Sequence, residues 1–311
     1  MVRAAGPLGR VIESDGNAVT PGASYRLDGY QFGAGTNALI MLNRVAFFDD
    51  HARKLDDAGH RALLGWAAGR NLGQASGLVA DVARRRASAL AELRWQGLHV
   101  ERLRAEPEWR LAVGLGNKAN AHEIGLSLHG TYGWPLIPGT SLKGMAAAWA
   151  VTSGAAPAAV RRVLGTPRLD VPIPPSPVSG PGAGPGGGRN EGGRASMAKG
   201  TVCFLDAIPA GAPVTVAVDV LTPHVKPYYD AVAGESGKPV PPPAEYHNPV
   251  PVNFLSVRGT FAADLYGRDR DDVELAAEWL RMAGEELGAG GKTAAGYGYL
   301  TMTPVTSGDP P

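Results

Sequence analysis

Apolar residues along this chain switch between two periods. Near the C-terminus, Val273, Ala276, Ala277, Leu280, Ala283 and Leu287 fall on one face at a spacing of 3.6, which predicts a helix. Asp271 followed by Glu274 offers a capping-box start, and Gly288 is the expected stop. Further on, Tyr297, Tyr299 and Thr301 alternate with Leu300 and Met302, the period of a strand. Between the two lies Gly288 to Gly298, which reads Gly-Ala-Gly-Gly-Lys-Thr-Ala-Ala-Gly-Tyr-Gly. The order is therefore helix, glycine loop, strand.

The same reading extends upstream. Asn37 to Phe48 is a short apolar patch that suits either packing onto the domain or docking to a partner. Asp49–Gly69 and Gln74–Trp95 read as helices, the second turning Leu78, Val82, Leu90 and Leu93 toward a core. Arg84, Arg85 and Arg86 on that helix read as a solvated face, with RNA contact as the alternative. Trp109, Leu111, Val113 and Leu115 share one face of a predicted strand. Leu126 to Ile137 is a strand or hairpin broken at Gly133-Trp134-Pro135. Ile137-Pro138-Gly139-Thr140-Ser141-Leu142-Lys143-Gly144 opens a helix with Thr140 or Ser141 as the expected N-cap. Thr201 to Ala207 is a strand, and Val214, Val216, Val218 and Val220 share a face of the next. Val252–Val257 and Gly259–Leu265 form another strand pair. Strands paired with two helices, twice, predict an α+β fold with ferredoxin-like units. The expected organisation is an irregular and helical N-terminal extension over 1–108, a core over 109–304 and a frayed tail over 305–311. Residues 167–200 are too rich in proline and glycine to build a core and read as a flexible insertion.

Composition narrows the picture. With 311 residues and 44% hydrophobic content, the chain can bury a sizeable core as one large or two small domains. The single cysteine, Cys203, excludes an internal disulfide and fits a reducing cytoplasm. No signal pattern or long apolar span is present, so neither secretion nor membrane insertion is expected. The net charge is only +1, which excludes a generic electrostatic binder of nucleic acid. Any RNA would have to be held by a few placed donors.

The glycine loop contains Gly-Lys-Thr, but it is not a nucleotide P-loop. A P-loop needs a glycine where Glu286 stands, and it joins a strand to a following helix. What remains is either a tight turn or a bare backbone that a polyanion can approach, with Lys292 and Thr293 adding a charge and a hydroxyl. The helix opening at Thr140–Lys143 carries Lys143 in its first turn, with no Asp or Glu nearby in the sequence. Free N–H groups, two hydroxyls and the Lys143 ammonium suit an anion there, against ordinary capping with an exposed lysine. His122-Glu123 lacks the second histidine of a zinc motif, because position 126 is Leu126, and no metal or cofactor is expected.

Two segments carry a resemblance. His122-Glu123-Ile124-Gly125-Leu126 through Ile137–Gly144, with the loop Gly288–Gly298, resemble the RAMP superfamily of CRISPR effector proteins. Within it, Phe204-Leu205-Asp206-Ala207, Asp219-Val220-Leu221-Thr222-Pro223-His224 and Tyr228-Tyr229 resemble the family of sixth Cmr subunits of type III-B complexes. The likeness spans about residues 109–303. It implies a RAMP fold of ferredoxin-like (RRM-related) modules and a non-catalytic place in a cytoplasmic effector filament for antiviral defence. The implied partners are the 3′ part of a guide (CRISPR) RNA, target RNA and other Cmr subunits. A guide changes sequence with every spacer, so its holder must grip phosphates and leave bases free. The expected RNA contacts are Lys118, Thr140, Ser141, Lys143, Gly288, Gly290, Gly291, Lys292, Thr293 and Tyr297, with Tyr228 or Tyr229 also placed to stack on a base. The two amide-rich stretches are expected to adjoin in space. The alternatives are a guide-processing endoribonuclease and a purely structural assembly protein. The former would use His122, His129 or His224 as general acid/base, with Lys118 stabilising charge.

Overall fold

The computed structural model describes residues 2–5, 37–44, 46–49, 54–55, 57–116, 124–166, 198–222, 225–232, 240–242, 244, 249 and 251–306. In chain order the elements are β1 (Val2–Ala5), α1 (Ala38–Arg44), β2 (Ala46–Asp49), β3 (Lys54–Leu55) and α2 (Asp57–Gly69). A 3₁₀ turn at Asn71–Gly73 leads to α3 (Ser76–Trp95) and β4 (His99–Pro107). Then come α4 (Gly139–Thr152), α5 (Pro157–Leu164), β5 (Val202–Phe204), β6 (Ile208–Pro209), β7 (Thr215–Leu221) and α6 (Lys226–Val232). The chain closes with β8 (Val252–Arg258), β9 (Phe261–Gly267), α7 (Arg270–Glu286), a 3₁₀ turn at Thr293–Ala295 and β10 (Leu300–Pro304).

The main sheet runs β10-β4-β9-β5, with β6 also on β9, and every pairing is antiparallel. Followed along the chain, β4-α4-β5-β9-α7-β10 is the βαββαβ order of a ferredoxin-like unit. The described residues complete one such unit. Alternation puts Phe261, Ala263 and Leu265 of β9, Leu103 and Ala105 of β4, and Leu300 and Met302 of β10 on one buried face. Helix α7 covers that face with Val273, Ala276, Leu280 and Ala283, as its periodicity predicts, and α4 packs alongside it. Its N-cap is Asp269, whose carboxylate accepts the Asp272 N–H at 3.0 Å; the expected start at Asp271 lies two residues inside. Strands β7 and β8 form a separate ribbon inserted between β6 and β9.

Several expectations shift. The strand read at 109–115 is irregular chain that makes isolated bridges, Leu111–Val257 and Ala112–Gly290, in place of a ladder. The central strand is instead His99–Pro107, N-terminal to the division placed at residue 109. Its apolar positions are separated by Glu101, Arg102, Arg104 and Glu106, so its alternation is faint in the sequence. On α3 the buried face is Val79, Val82, Ala83 and Leu90, while Leu78 is exposed. The apolar patch near residue 40 packs onto the domain, since Ala38, Met41 and Leu42 are buried in the main core. Val214, just before β7, and Val216 on it are buried, but Val218 and Val220 are exposed, because α2 and the Asn71–Gly73 turn cover only the near half of the ribbon. The insertion read at 167–200 lies outside the described residues as far as 197, as does the tail from 307.

Arg86 falls on the buried face of α3, so its charge must be paired. The basic triplet thus splits. Arg84 is exposed and pairs with Asp81, and Arg85 donates to the Tyr132 hydroxyl at 3.2 Å. Arg86 reaches Asp264 of β9 at 2.8 Å, and Arg102 of β4 reaches the other oxygen of the same carboxylate at 3.1 Å. The Asp264 side chain is fully buried. Removing it strands two guanidinium groups, so Asp264→Ala should lower stability by about 3–5 kcal/mol in urea unfolding. Arg84→Ala should cost at most about 0.5 kcal/mol in the same measurement, because its partner is solvated.

Candidate nucleic-acid interface

The glycine loop is pinned by its own backbone. Gly288 donates its N–H to Ala283 at 3.0 Å and closes α7. Ala289 donates to Gly298 at 2.7 Å, Gly298 to Arg110 at 2.8 Å and Gly291 to Ala112 at 2.9 Å. These contacts explain two of the glycines. At Gly298 (φ +85°) a Cβ would lie 2.1 Å from the Ala289 carbonyl, and at Gly290 (φ +81°) 2.5 Å from that of Ala112. Their bareness serves the approach of one backbone to another, whereas the sequence suggested approach to phosphate. The solvent-facing part is shorter. It comprises half-exposed Lys292, in a left-handed conformation (φ +63°), half-exposed Thr293, and exposed Ala294, Ala295 and Gly296.

Tyr297 is the loop's anchor. Its ring is only 4% exposed and packs on Trp109 and Phe254 at centroid distances of 4.6 and 5.5 Å. Its hydroxyl donates to Asp219 Oδ2 at 2.9 Å, and the Ser256 hydroxyl donates to the same oxygen at 2.6 Å. Arg110 donates to Ser256 Oγ at 3.2 Å and stands 3.7 Å from Asp219 Oδ1. Burial, aided by the Asp219 hydrogen bond, pushes the Tyr297 phenol from an ordinary 10 up to about 12. A ring so enclosed offers no face to a base, which corrects its expected role as a stacking residue. Lys292 Nζ sits 4.9 Å over the Phe254 ring, a cation–π contact that holds the side chain above the ribbon.

The second expected stretch is built differently from the prediction. Helix α4 begins at Gly139 after Pro138, and no side chain of Thr140 or Ser141 caps it. Asp206 Oδ1 accepts the Gly139 N–H at 2.7 Å instead. A carboxylate 67 residues distant in sequence thus supplies the acidic group that the first turn lacks. Thr140 is exposed, and Ser141 and Lys143 are half-exposed. The two stretches are joined through intervening backbone. Gly291 bonds Ala112, Ser127 donates to Val113 at 2.7 Å, Leu136 to Ser127 at 3.0 Å, and Ile137 to Ala207 beside Asp206 at 3.0 Å. The stretches expected to adjoin are therefore linked across the segments 111–115 and 124–137.

Other expected residues scatter. Tyr228 and Tyr229 meet edge to face on α6 at 5.5 Å, with Tyr229 60% exposed. His129 lies on a tight turn, where its Nδ1 accepts the Thr131 N–H at 3.1 Å. Lys118, His122 and His224 lie outside the described residues. Asp206 and Asp219 lie in segments that carry the family resemblance, but nothing local in the sequence signals their partners. No described helix is long and apolar enough to cross a membrane.

Tyr297→Phe keeps the ring and deletes the donor, and should cost about 1 kcal/mol at neutral pH. The folded phenol ionises only near 12 and the unfolded one near 10, so its contribution is complete below pH 10 and is lost as pH rises toward 12. The gap in urea midpoint between wild type and Tyr297→Phe should narrow from about pH 9 to about pH 11.

Comparison with known proteins follows the same outline. A family model described as the RAMP superfamily matches residues 110–301. The Cmr subunit Cmr6 of the CRISPR system of Pyrococcus furiosus is 39% identical over 108 residues, covering 33% of this chain and 31% of that protein. The match thus spans less than a third of that relative. A chain in the cryo-EM structure of the type III-B Cmr-beta complex bound to cognate target RNA superposes with a TM-score of 0.53 at 16% identity, covering 82% of this chain and 78% of that one. The crystal structure of Cmr6 from Pyrococcus furiosus matches 66% of this chain and 99% of its own at 23% identity, with a TM-score of 0.37 that carries no weight. With its sheet order, its glycine loop and a family match over most of its length, this chain belongs to the RAMP superfamily.

Proposed function

We propose that this protein is a non-catalytic, RNA-binding backbone subunit of a type III-B CRISPR effector complex. Its place there is that of the sixth Cmr subunit, and it holds the 3′ part of the guide RNA through its phosphates. Its partners are the guide RNA, the target RNA paired to it and the neighbouring Cmr subunits. Membership of the RAMP superfamily supports this, as do the partial likeness to a Cmr6 and the shared fold with a chain of a Cmr complex.

One observation carries the reading. The exposed turn at Lys292–Gly296 presents small side chains and one cation on a base fixed by backbone bonds and by Tyr297. A fixed, unshielded turn with an ammonium suits a phosphate chain of any sequence, and it does so without high net charge. Lys143 is the second expected contact. The Asp206 carboxylate at the start of α4 leaves that helix end less receptive to an anion, so Lys292 carries the larger share.

Lys143→Glu combined with Lys292→Glu should weaken guide-RNA retention in the assembled complex by about 2–4 kcal/mol, the scale of two charge-assisted contacts. Lys292→Glu alone should give most of the loss, equally for guides of unrelated spacer sequence. Unchanged retention and unchanged crosslinking to guide RNA would remove the proposal. Guide cleavage by the isolated wild-type chain would replace it with the endoribonuclease reading.

A further inference from the structure

The main sheet has a second face, and the described residues cover only part of it. Helix α3 closes the end around Asp264 through Arg86, and Arg94 donates to the Val100 carbonyl at 3.0 Å. Toward the other end, register sets Arg102 opposite Asp264, Arg104 opposite Ala262, and Thr303 opposite Arg104, so all of these share that face. The result is a cleft of about 460 Å³ lined by Arg102, Arg104, Ala262 and Thr303, with Ala210–Ala212 as one wall and Pro304–Val305 as another.

The make-up of the cleft is specific. Apart from its two arginines the lining is mostly small, with Ala262, Thr303 and Ala210–Ala212, so a flat ring has room beside the guanidinium groups. Its two cations are held in place. Arg102 is 14% exposed and bonded through Nε to the buried Asp264, which leaves its terminal N–H groups uncommitted to that carboxylate. Arg104 is 52% exposed and donates to Glu106 at 2.8 Å and to Thr260 at 3.4 Å. The Arg104 and Thr260 hydrogen bonds hold the Glu106 carboxyl below its usual range. Three guanidinium groups, Arg86, Arg102 and Arg104, face two carboxylates, Asp264 and Glu106, so one positive charge is left over.

We propose that this cleft binds one nucleotide, its base flat on the Ala262 floor and its phosphate on the Arg102–Arg104 side. A planar guanidinium anchored by a carboxylate is preorganised both to stack on a base and to pair with a phosphate. The volume lies within the roughly 300–1,000 Å³ of small-ligand sites. An acidic side chain of a protein partner would answer the charge but leave the apolar floor uncovered. The inference does not rest on the glycine loop holding RNA. The nucleotide is either free or one residue of an RNA strand.

The full chain is titrated calorimetrically with adenosine 5′-monophosphate and with a short oligoadenylate RNA. Arg104→Gln removes a cation and Ala212→Trp fills the cleft; both positions are exposed, and unchanged melting temperatures confirm that the fold is kept. Binding of either probe, weakened about tenfold or more by each variant, is expected. Binding of the oligomer alone assigns the site to a strand, and binding of the monophosphate assigns it to a free nucleotide as well. The proposal falls if wild type binds neither probe, if both variants bind as wild type does, or if only a short polyglutamate peptide binds.

Discussion

The fold hangs on one buried carboxylate. Asp264 sits in the middle of β9 with no contact to solvent, and both of its oxygens are taken by arginines from different elements. An ionised carboxylate in such a place is tolerable only with partners on both sides. Arg86 ties α3 to the sheet, and Arg102 ties β4 to β9. Arg86 also donates to the Asp206 carbonyl at 3.0 Å, and the carboxylate of that same Asp206 receives the first N–H of α4. A continuous polar path therefore runs from the outer helix through the sheet to the helix on its far side. Register within the sheet, the seat of α3 and the start of α4 are fixed together.

A smaller arrangement of the same kind governs the glycine loop. Asp219, on the inserted ribbon, collects the hydroxyls of Tyr297 and Ser256, with Arg110 close by. The loop is thus not a flexible strap between α7 and β10. It is a rigid lip whose underside is aromatic and hydrogen-bonded, and whose upper side is a few small residues and a lysine. Proteins that hold a strand of variable sequence benefit from such rigidity, because contacts made by shape and charge lose little to reordering on binding.

Much of this was legible in the sequence where a local period carried it. Helix α7 is legible with its core face intact, because Val273, Ala276, Leu280 and Ala283 repeat at 3.6 residues in a helix buried on one side. Strand β4 is not legible, because a strand that anchors a buried salt-bridge network alternates charged with apolar residues and reads as polar. The Trp109–Leu115 stretch reads as a strand without being one, because burial by a crossing ribbon imitates the alternation of a strand. The loop's glycines are visible in the sequence, which leaves a tight turn and approach to a polyanion both open. Closeness to a ligand and closeness to another backbone demand the same residue, and only the neighbours distinguish them. Asp206 and Asp219 act across 67 and 78 positions, distances at which sequence alone carries no geometric signal.

The attachment of the loop has a bearing on how such chains diverge. Several of its bonds run from main chain to main chain, through the carbonyls of Ala112, Arg110 and Gly298, and so do not depend on a functional group at those positions. Drift elsewhere leaves the lip in shape as long as the Tyr297 anchor is kept and the two spots without a Cβ, at 290 and 298, stay empty. A scaffold constrained this way can wander far in composition while its outline persists, as the shared architecture at 16% identity illustrates.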